Sequence, residues 1–192
     1  MPMLESFLVS TSVVALAEIG DKTQLLSLIL AARFRKPLPI VLGILVATLL
    51  NHGLAGALGA WLSTLFAPET LNWIMGISFI AMGLWILVPD KLDEQDVAVP
   101  QKQMGVFFAT LFAFFLAEMG DKTQFATIAL AAQYHQVLMV VLGTTLGMML
   151  ANVPAVYLGH RFADRLPTKL VHMIAAVIFV AIGLWTLARI LF

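Results

Sequence analysis

The chain has 192 residues, of which 61% are hydrophobic and only 11% charged, and its mean hydropathy is +0.97. A soluble domain carries about 25% charged residues, so a water-soluble fold is excluded and an integral membrane protein is indicated. Eleven basic residues balance eleven acidic ones without a basic run, which argues against a nucleic-acid partner, and the lack of cysteine removes disulfides, thiolate metal sites and cysteine nucleophiles.

Six stretches reach the roughly 20 apolar residues that a spanning helix needs. The first, 4–32, has no Lys or Arg before its apolar run, so the basic region of a cleaved signal peptide is missing even though "ALA" at 15–17 resembles a cleavage site. It carries "AEIGDKTQ" at 17–24. The second, 38–64, has Asn51 and His52 near its centre, and the third is 70–89. Residues 90–103 follow, with Asp90, Asp93, Glu94 and Asp96, and are expected to be a solvated acidic linker. The fourth stretch, 104–133, carries "AEMGDKTQ" at 117–124. The fifth, 137–162, has Asn152 near its centre, and the sixth is 170–190.

An offset of 100 residues aligns the two motifs, "LAA" at 30–32 with 130–132, "VLG" at 41–43 with 141–143, Gly59 with Gly159, and "GLW" at 83–85 with 183–185. One offset kept over separate blocks is an internal duplication. Three crossings per copy bring the second copy into the bilayer inverted, an arrangement common among transporters. The expected fold is an all-α integral membrane protein of six transmembrane helices, with 1–89 as one three-helix repeat, 90–103 as linker and 104–192 as the inverted repeat. One face would carry Arg33, Arg35, Lys36, Lys91, Lys102, Arg161, Arg165 and Lys169, the other only Arg189. The positive-inside rule then puts the linker in the cytoplasm and both termini across the cell (inner) membrane.

Within each motif, Glu18 and Asp21, like Glu118 and Asp121, are three residues apart, which on a continuous helix sets both carboxylates on one face near mid-membrane. Gly20 and Gly120 remove bulk between the acids and permit a kink or a close helix contact. Thr23, Gln24, Thr123 and Gln124 add neutral oxygens one turn on. A charge at the centre of a membrane helix costs about 3 kcal/mol, so the six ionisable groups would oppose insertion by on the order of 18 kcal/mol. Asp21 and Asp121 can offset part of this by pairing with Lys122 and Lys22, or the lysines can act directly in transport. Four carboxylates against two lysines leave a surplus of two negative charges. Two protons or one divalent cation would cancel that surplus, which is the logic of a cation/proton exchanger. Carboxylate, amide and hydroxyl oxygens suit hard ions such as Mn²⁺, Ca²⁺ or Mg²⁺.

Asn51 and Asn152 are secondary site candidates, and each fits an interhelical hydrogen bond better than a metal contact. His52 reads as a packed residue, and His135, His160 and His172 as loop or helix-end residues. Gly53, Gly56, Gly59, Gly143 and Gly147 are expected to allow close helix packing.

Two copies of E-x-G-D-[KR]-[TS], "EIGDKT" at 18–23 and "EMGDKT" at 118–123, resemble the manganese and calcium cation/proton antiporters, a family that includes bacterial manganese exporters and Golgi membrane proteins linked to glycosylation. The similarity covers nearly the whole chain. It implies that Glu18, Asp21, Glu118 and Asp121 bind the cation and exchange protons. It also implies Mn²⁺ as the favoured substrate with Ca²⁺ as an alternative, bound transiently, with export from the cytoplasm and no prosthetic group. The expected partners are a divalent cation, protons and the lipid bilayer, and an oligomer is compatible with the sequence. Two alternatives stay open: an exporter of another small solute such as an amino acid, and a divalent-cation channel. No nucleophile–base arrangement suggests an enzyme, and a purely structural subunit would not need surplus carboxylates.

Overall fold

The computed structural model describes residues 2–88, 105–158 and 168–191, and among them every regular element is a helix. In chain order these are α1 (Pro2–Glu18), α2 (Lys22–Phe34), α3 (Pro37–Leu65), α4 (Pro68–Ile86), α5 (Val106–Glu118), α6 (Lys122–Tyr134), α7 (Val137–Leu158) and α8 (Thr168–Leu191). Pro37 and Pro68 each start a helix, where the missing N–H has no helical partner to lose. The predicted linker, together with Gly159, His160, Arg161 and Arg165, lies outside the described residues.

Among the described residues, four helices are long and apolar enough to cross a bilayer: Pro37–Leu65, Pro68–Ile86, Val137–Leu158 and Lys169–Ile190. The pair Met3–Glu18 and Lys22–Phe34 makes a fifth candidate, bent by 70° at its break. The expectation of continuous helices over 4–32 and 104–133 is therefore corrected. The chain breaks directly after Glu18 and again directly after Glu118. Gly20 at φ 85° and Gly120 at φ 75° adopt the left-handed conformation that stops a helix and that side-chain-bearing residues resist. Nothing lies within 4 Å of where a Cβ on Gly120 would be, so this glycine serves conformation rather than close packing.

The duplication persists in the backbone. The non-glycine residues at positive φ are Arg35 and His135, again 100 residues apart, and each ends the second helix of its motif. Packing follows the same equivalence. α1 lies along α7 and α5 along α3, α2 meets α7 and α6 meets α3, and α4 and α8 pack on each other. At matching crossings a Cβ on Gly43 would sit 2.8 Å from the Phe107 carbonyl oxygen, and one on Gly143 would sit 2.5 Å from that of Phe7. Gly56, Gly59 and Gly147 also meet neighbouring helices closely, whereas Gly53 has open space around it, contrary to expectation.

The polarity is inverted relative to a soluble protein. Leu38, Leu54, Leu116 and Leu138 are each more than 60% exposed, while Glu18, Glu118, Thr23 and Asn152 are fully buried. Bilayer lipid suits such an apolar exterior, and the buried polar groups then face one another.

Candidate metal centre

The two breaks build the site. Glu18 ends α1 and Asp21 sits at the N-cap of α2, while Glu118 ends α5 and Asp121 caps α6. Each Glu–Asp pair therefore spans a turn rather than sharing one helical face, which corrects the expectation from spacing. Within each turn the Asp amide returns to the Glu carbonyl at 3.1 Å, for Asp21 to Glu18 and for Asp121 to Glu118.

The motif glutamines hold the breaks in shape. The Gly20 amide donates to Gln24 Oε1 at 2.9 Å and the Gly120 amide to Gln124 Oε1 at 2.8 Å. These oxygens satisfy backbone donors that the breaks would otherwise orphan, so the neutral oxygens expected from sequence are engaged with the backbone. Gln24 Nε2 also donates to the Ala151 carbonyl at 3.0 Å, tying α2 to α7.

Carboxylates from the two halves converge. One oxygen each from Glu18, Glu118 and Asp121 lies within 4.8 Å of the others, and all three residues are buried. Thr23 Oγ1 donates to Glu18 Oε2 at 2.7 Å. Thr123 Oγ1 reaches Glu118 Oε2 at 3.2 Å and Asp121 Oδ2 at 3.3 Å, and its amide also donates to Asp121 Oδ2 at 3.3 Å. Glu18 Oε1 and Glu118 Oε1 are buried with no hydrogen-bond partner. Asp21 stands outside this three-acid group, 3.5 Å from Lys122 Nζ, and Lys22 Nζ lies 3.8 Å from Asp121 Oδ1. Each lysine thus pairs with the aspartate of the other half. Four carboxylates against two lysines leave a formal surplus of two negative charges at the centre.

The asparagines act mainly as helix ties. Asn51 Nδ2 donates to the Phe115 carbonyl at 3.1 Å, one turn before Glu118. Asn152 Oδ1 accepts from Ser27 Oγ at 2.7 Å, and its Nδ2 donates to the Met148 carbonyl at 3.1 Å. His52, the counterpart of Asn152 in the duplication, is fully buried with neither ring nitrogen hydrogen-bonded. His172, read from sequence only as a loop or helix-end residue, has its Nε2 2.7 Å from the Ile19 carbonyl oxygen inside the first break. A carbonyl only accepts, so Nε2 is the donor. The 100-residue offset gives no hint of this contact, because position 72 is asparagine.

A family profile described as "Divalent cation/proton antiporter GDT1" matches residues 6–94 and 106–191. The chain belongs to this family. Its members are transporters, not enzymes, and the apolar helices accord with a multi-pass membrane protein. A protein of Vibrio cholerae named "Putative manganese exporter" is 50% identical over 93% of this chain and 88% of its own length. "GDT1-like protein sll0615" of a Synechocystis strain is 30% identical over 96% of this chain and 98% of its own, and "GDT1-like protein 5" of Arabidopsis thaliana is 29% identical over 96% of each. No solved structure matches the chain.

Proposed function

We propose that the protein exports Mn²⁺ in exchange for protons, by alternating access at the cluster of Glu18, Glu118 and Asp121. Asp21 belongs to the same centre through its ion pair with Lys122. The observation that carries this reading is the meeting of three buried carboxylates from opposite halves within 4.8 Å, with each lysine's ion pair made to an aspartate. Such a centre binds a hard divalent cation as two carboxylates deprotonate, and it releases the cation as they take protons back. The two threonine hydroxyls orient the glutamates and supply neutral oxygens beside them. Lys22 and Lys122 neutralise the aspartates and fasten each break to the other half.

The surrounding architecture in this reading is six spans in two inverted three-helix repeats, 1–89 and 104–192, with each motif-bearing span broken at its acids. The packing exchanged between equivalent helices and the paired breaks support it. The 90–103 linker and the basic face lie in the cytoplasm and both termini on the other side of the cell (inner) membrane, as the distribution of Lys and Arg supports. The name of the Vibrio cholerae relative favours Mn²⁺ over Ca²⁺ as cargo.

Purified protein in proteoliposomes tests the reading through metal-driven proton flux with Mn²⁺, Ca²⁺ and Mg²⁺. Mn²⁺ is expected to drive proton movement in the opposite direction and Mg²⁺ to do so least. Metal flux indifferent to a pH gradient would point to a channel instead. Glu118→Gln should abolish exchange while the protein still reaches the membrane in normal amount; full activity in that variant would remove Glu118 from the site.

A further inference from the structure

Both ends of the described chain meet at one cavity. Glu5 in α1 and Arg189 in α8 line its mouth, and the cavity encloses about 520 Å³. A neighbouring cavity of about 240 Å³ and a third of about 210 Å³ open beside it, and Gln133 lines all three. Gln133 Oε1 is buried and has no hydrogen-bond partner. Toward the protein interior, the large cavity is bounded by Val9, Phe79 and Leu130.

Helical spacing relates this cavity to the acids. On α1, Val9, Val13 and Ala17 recur every fourth residue, and Glu18 follows. On α6, Leu130, Ala126 and Lys122 do the same in the other direction, and Asp121 precedes Lys122. Nine residues separate Val9 from Glu18 and Leu130 from Asp121, so both helices place the cavity floor roughly 13 Å from the carboxylates. The intervening space is dry. Val13, Ala17, Phe79, Ala126 and Leu130 belong to one buried apolar cluster, and the Phe79 ring rests against its counterpart Phe179 with centroids 6.1 Å apart. A packed apolar layer stops ions because water does not enter it.

We propose that this cavity is the vestibule through which the cation leaves on the side of the termini. Gln133 is a transit ligand within it, and the Phe79–Leu130 layer is its closed gate. The inference rests on the transport reading above. Its chemistry fits a release path. Glu5 and Arg189 cancel at the mouth, and the buried donor is a neutral amide oxygen. An ion can therefore touch Gln133 without the tight capture that a carboxylate would impose, which is what passage requires.

The chain has no cysteine, so single-cysteine variants report accessibility without background. Gln133→Cys and Val13→Cys are reconstituted and exposed, from each side in turn, to a membrane-impermeant cationic thiol reagent, with and without Mn²⁺. Gln133→Cys should react from the side of the termini, and Mn²⁺ should slow the reaction. Val13→Cys should react at least about tenfold more slowly, since a buried thiol reacts only after local opening. Adding Phe79→Ala should raise the Val13→Cys rate toward that of Gln133→Cys. Labelling of Gln133→Cys from the opposite side only, or equal rates for the two cysteines with Phe79 intact, would overturn the vestibule. Labelling needs no transport assay, so the two readings fail separately. The expected labelling with no Mn²⁺/proton exchange keeps the vestibule and sinks the manganese reading, whereas exchange with the wrong labelling does the reverse.

Discussion

Thr123 touches two acids at once, with its hydroxyl between Glu118 Oε2 and Asp121 Oδ2 and its amide on the same aspartate oxygen. Thr23 holds only Glu18 in the corresponding turn, so the two copies of one motif are not equal in what they arrange. Removing a donor to a buried carboxylate costs about 1–3 kcal/mol, and the proposed cation centre should lose affinity in proportion. Thr123→Ala is expected to raise the Mn²⁺ concentration for half-maximal transport about tenfold, the equivalent of ~1.4 kcal/mol. Thr123→Ser keeps the hydroxyl and should stay within about threefold of the unmodified protein. Equal effects of the two substitutions would mean that the methyl, not the hydroxyl, matters there. The acids and lysines were legible in the sequence because charge inside an apolar chain is costly and must be matched, and the structure matches each aspartate with the lysine of the other half. The glutamines read in the sequence only as neutral oxygens one turn on. Gln24 and Gln124 are spent on the glycine amides, and nothing in residue type separates a donor aimed at an ion from one aimed at its own backbone.

The element that decides the site is the broken helix. Over 4–32 and 104–133 the apolar pattern runs unbroken enough to read as continuous spans, because one glycine in a membrane helix allows a break without requiring one. What accompanies Gly20 and Gly120 is an aspartate at the N-cap position, whose side chain accepts a cap hydrogen bond in the second copy only, and in both copies a glutamine four residues on that takes the glycine amide. Gly120→Ala should then act purely through conformation, since space for the methyl exists but φ is 75°. An alanine held in that region costs about 1 kcal/mol. The variant should melt at a lower temperature in detergent and transport less, and unchanged values in both measurements would show that the turn relaxes freely. The first break has an additional tie in His172, whose Nε2–H meets the Ile19 carbonyl. His172→Ala leaves that carbonyl without its donor and is expected to slow Mn²⁺ exchange several-fold. His172→Gln, which still offers an N–H, should recover part of the rate. If alanine and glutamine behave alike, the hydrogen bond does not hold the break.

At the scale of the molecule, the duplication was legible because it is a matter of register, and 100 residues separate the two motifs, the two breaks and the two left-handed caps. The interlocking was not. Periodicity predicts helices but says nothing of α1 lying on α7 and α5 on α3, so that each half is completed by a helix of the other. That exchange is what carries Glu18 and Glu118 to one place, and it sets the charge of the centre. Four carboxylates face two lysines, a formal surplus of two negative charges, and each lysine's ion pair goes to an aspartate. In the proposed exchange, a centre that alternates between one divalent cation and two protons carries the same charge in both states as it reorients, so transport should be electroneutral. If one net charge crossed per cycle instead, a potential of 100 mV would shift the balance by about 2.3 kcal/mol. In proteoliposomes with the potential clamped by a potassium ionophore, the Mn²⁺ gradient at equilibrium should follow the pH gradient with a slope of two, about a hundredfold per pH unit, and should ignore the potential. Acidifying the side from which the cation is released should favour release, because protonation of the glutamates opposes binding. A slope of one, or a gradient that moves with the clamped potential, would show that a lysine or a third carboxylate changes its protonation during the cycle, and the two glutamates would no longer account for the coupling.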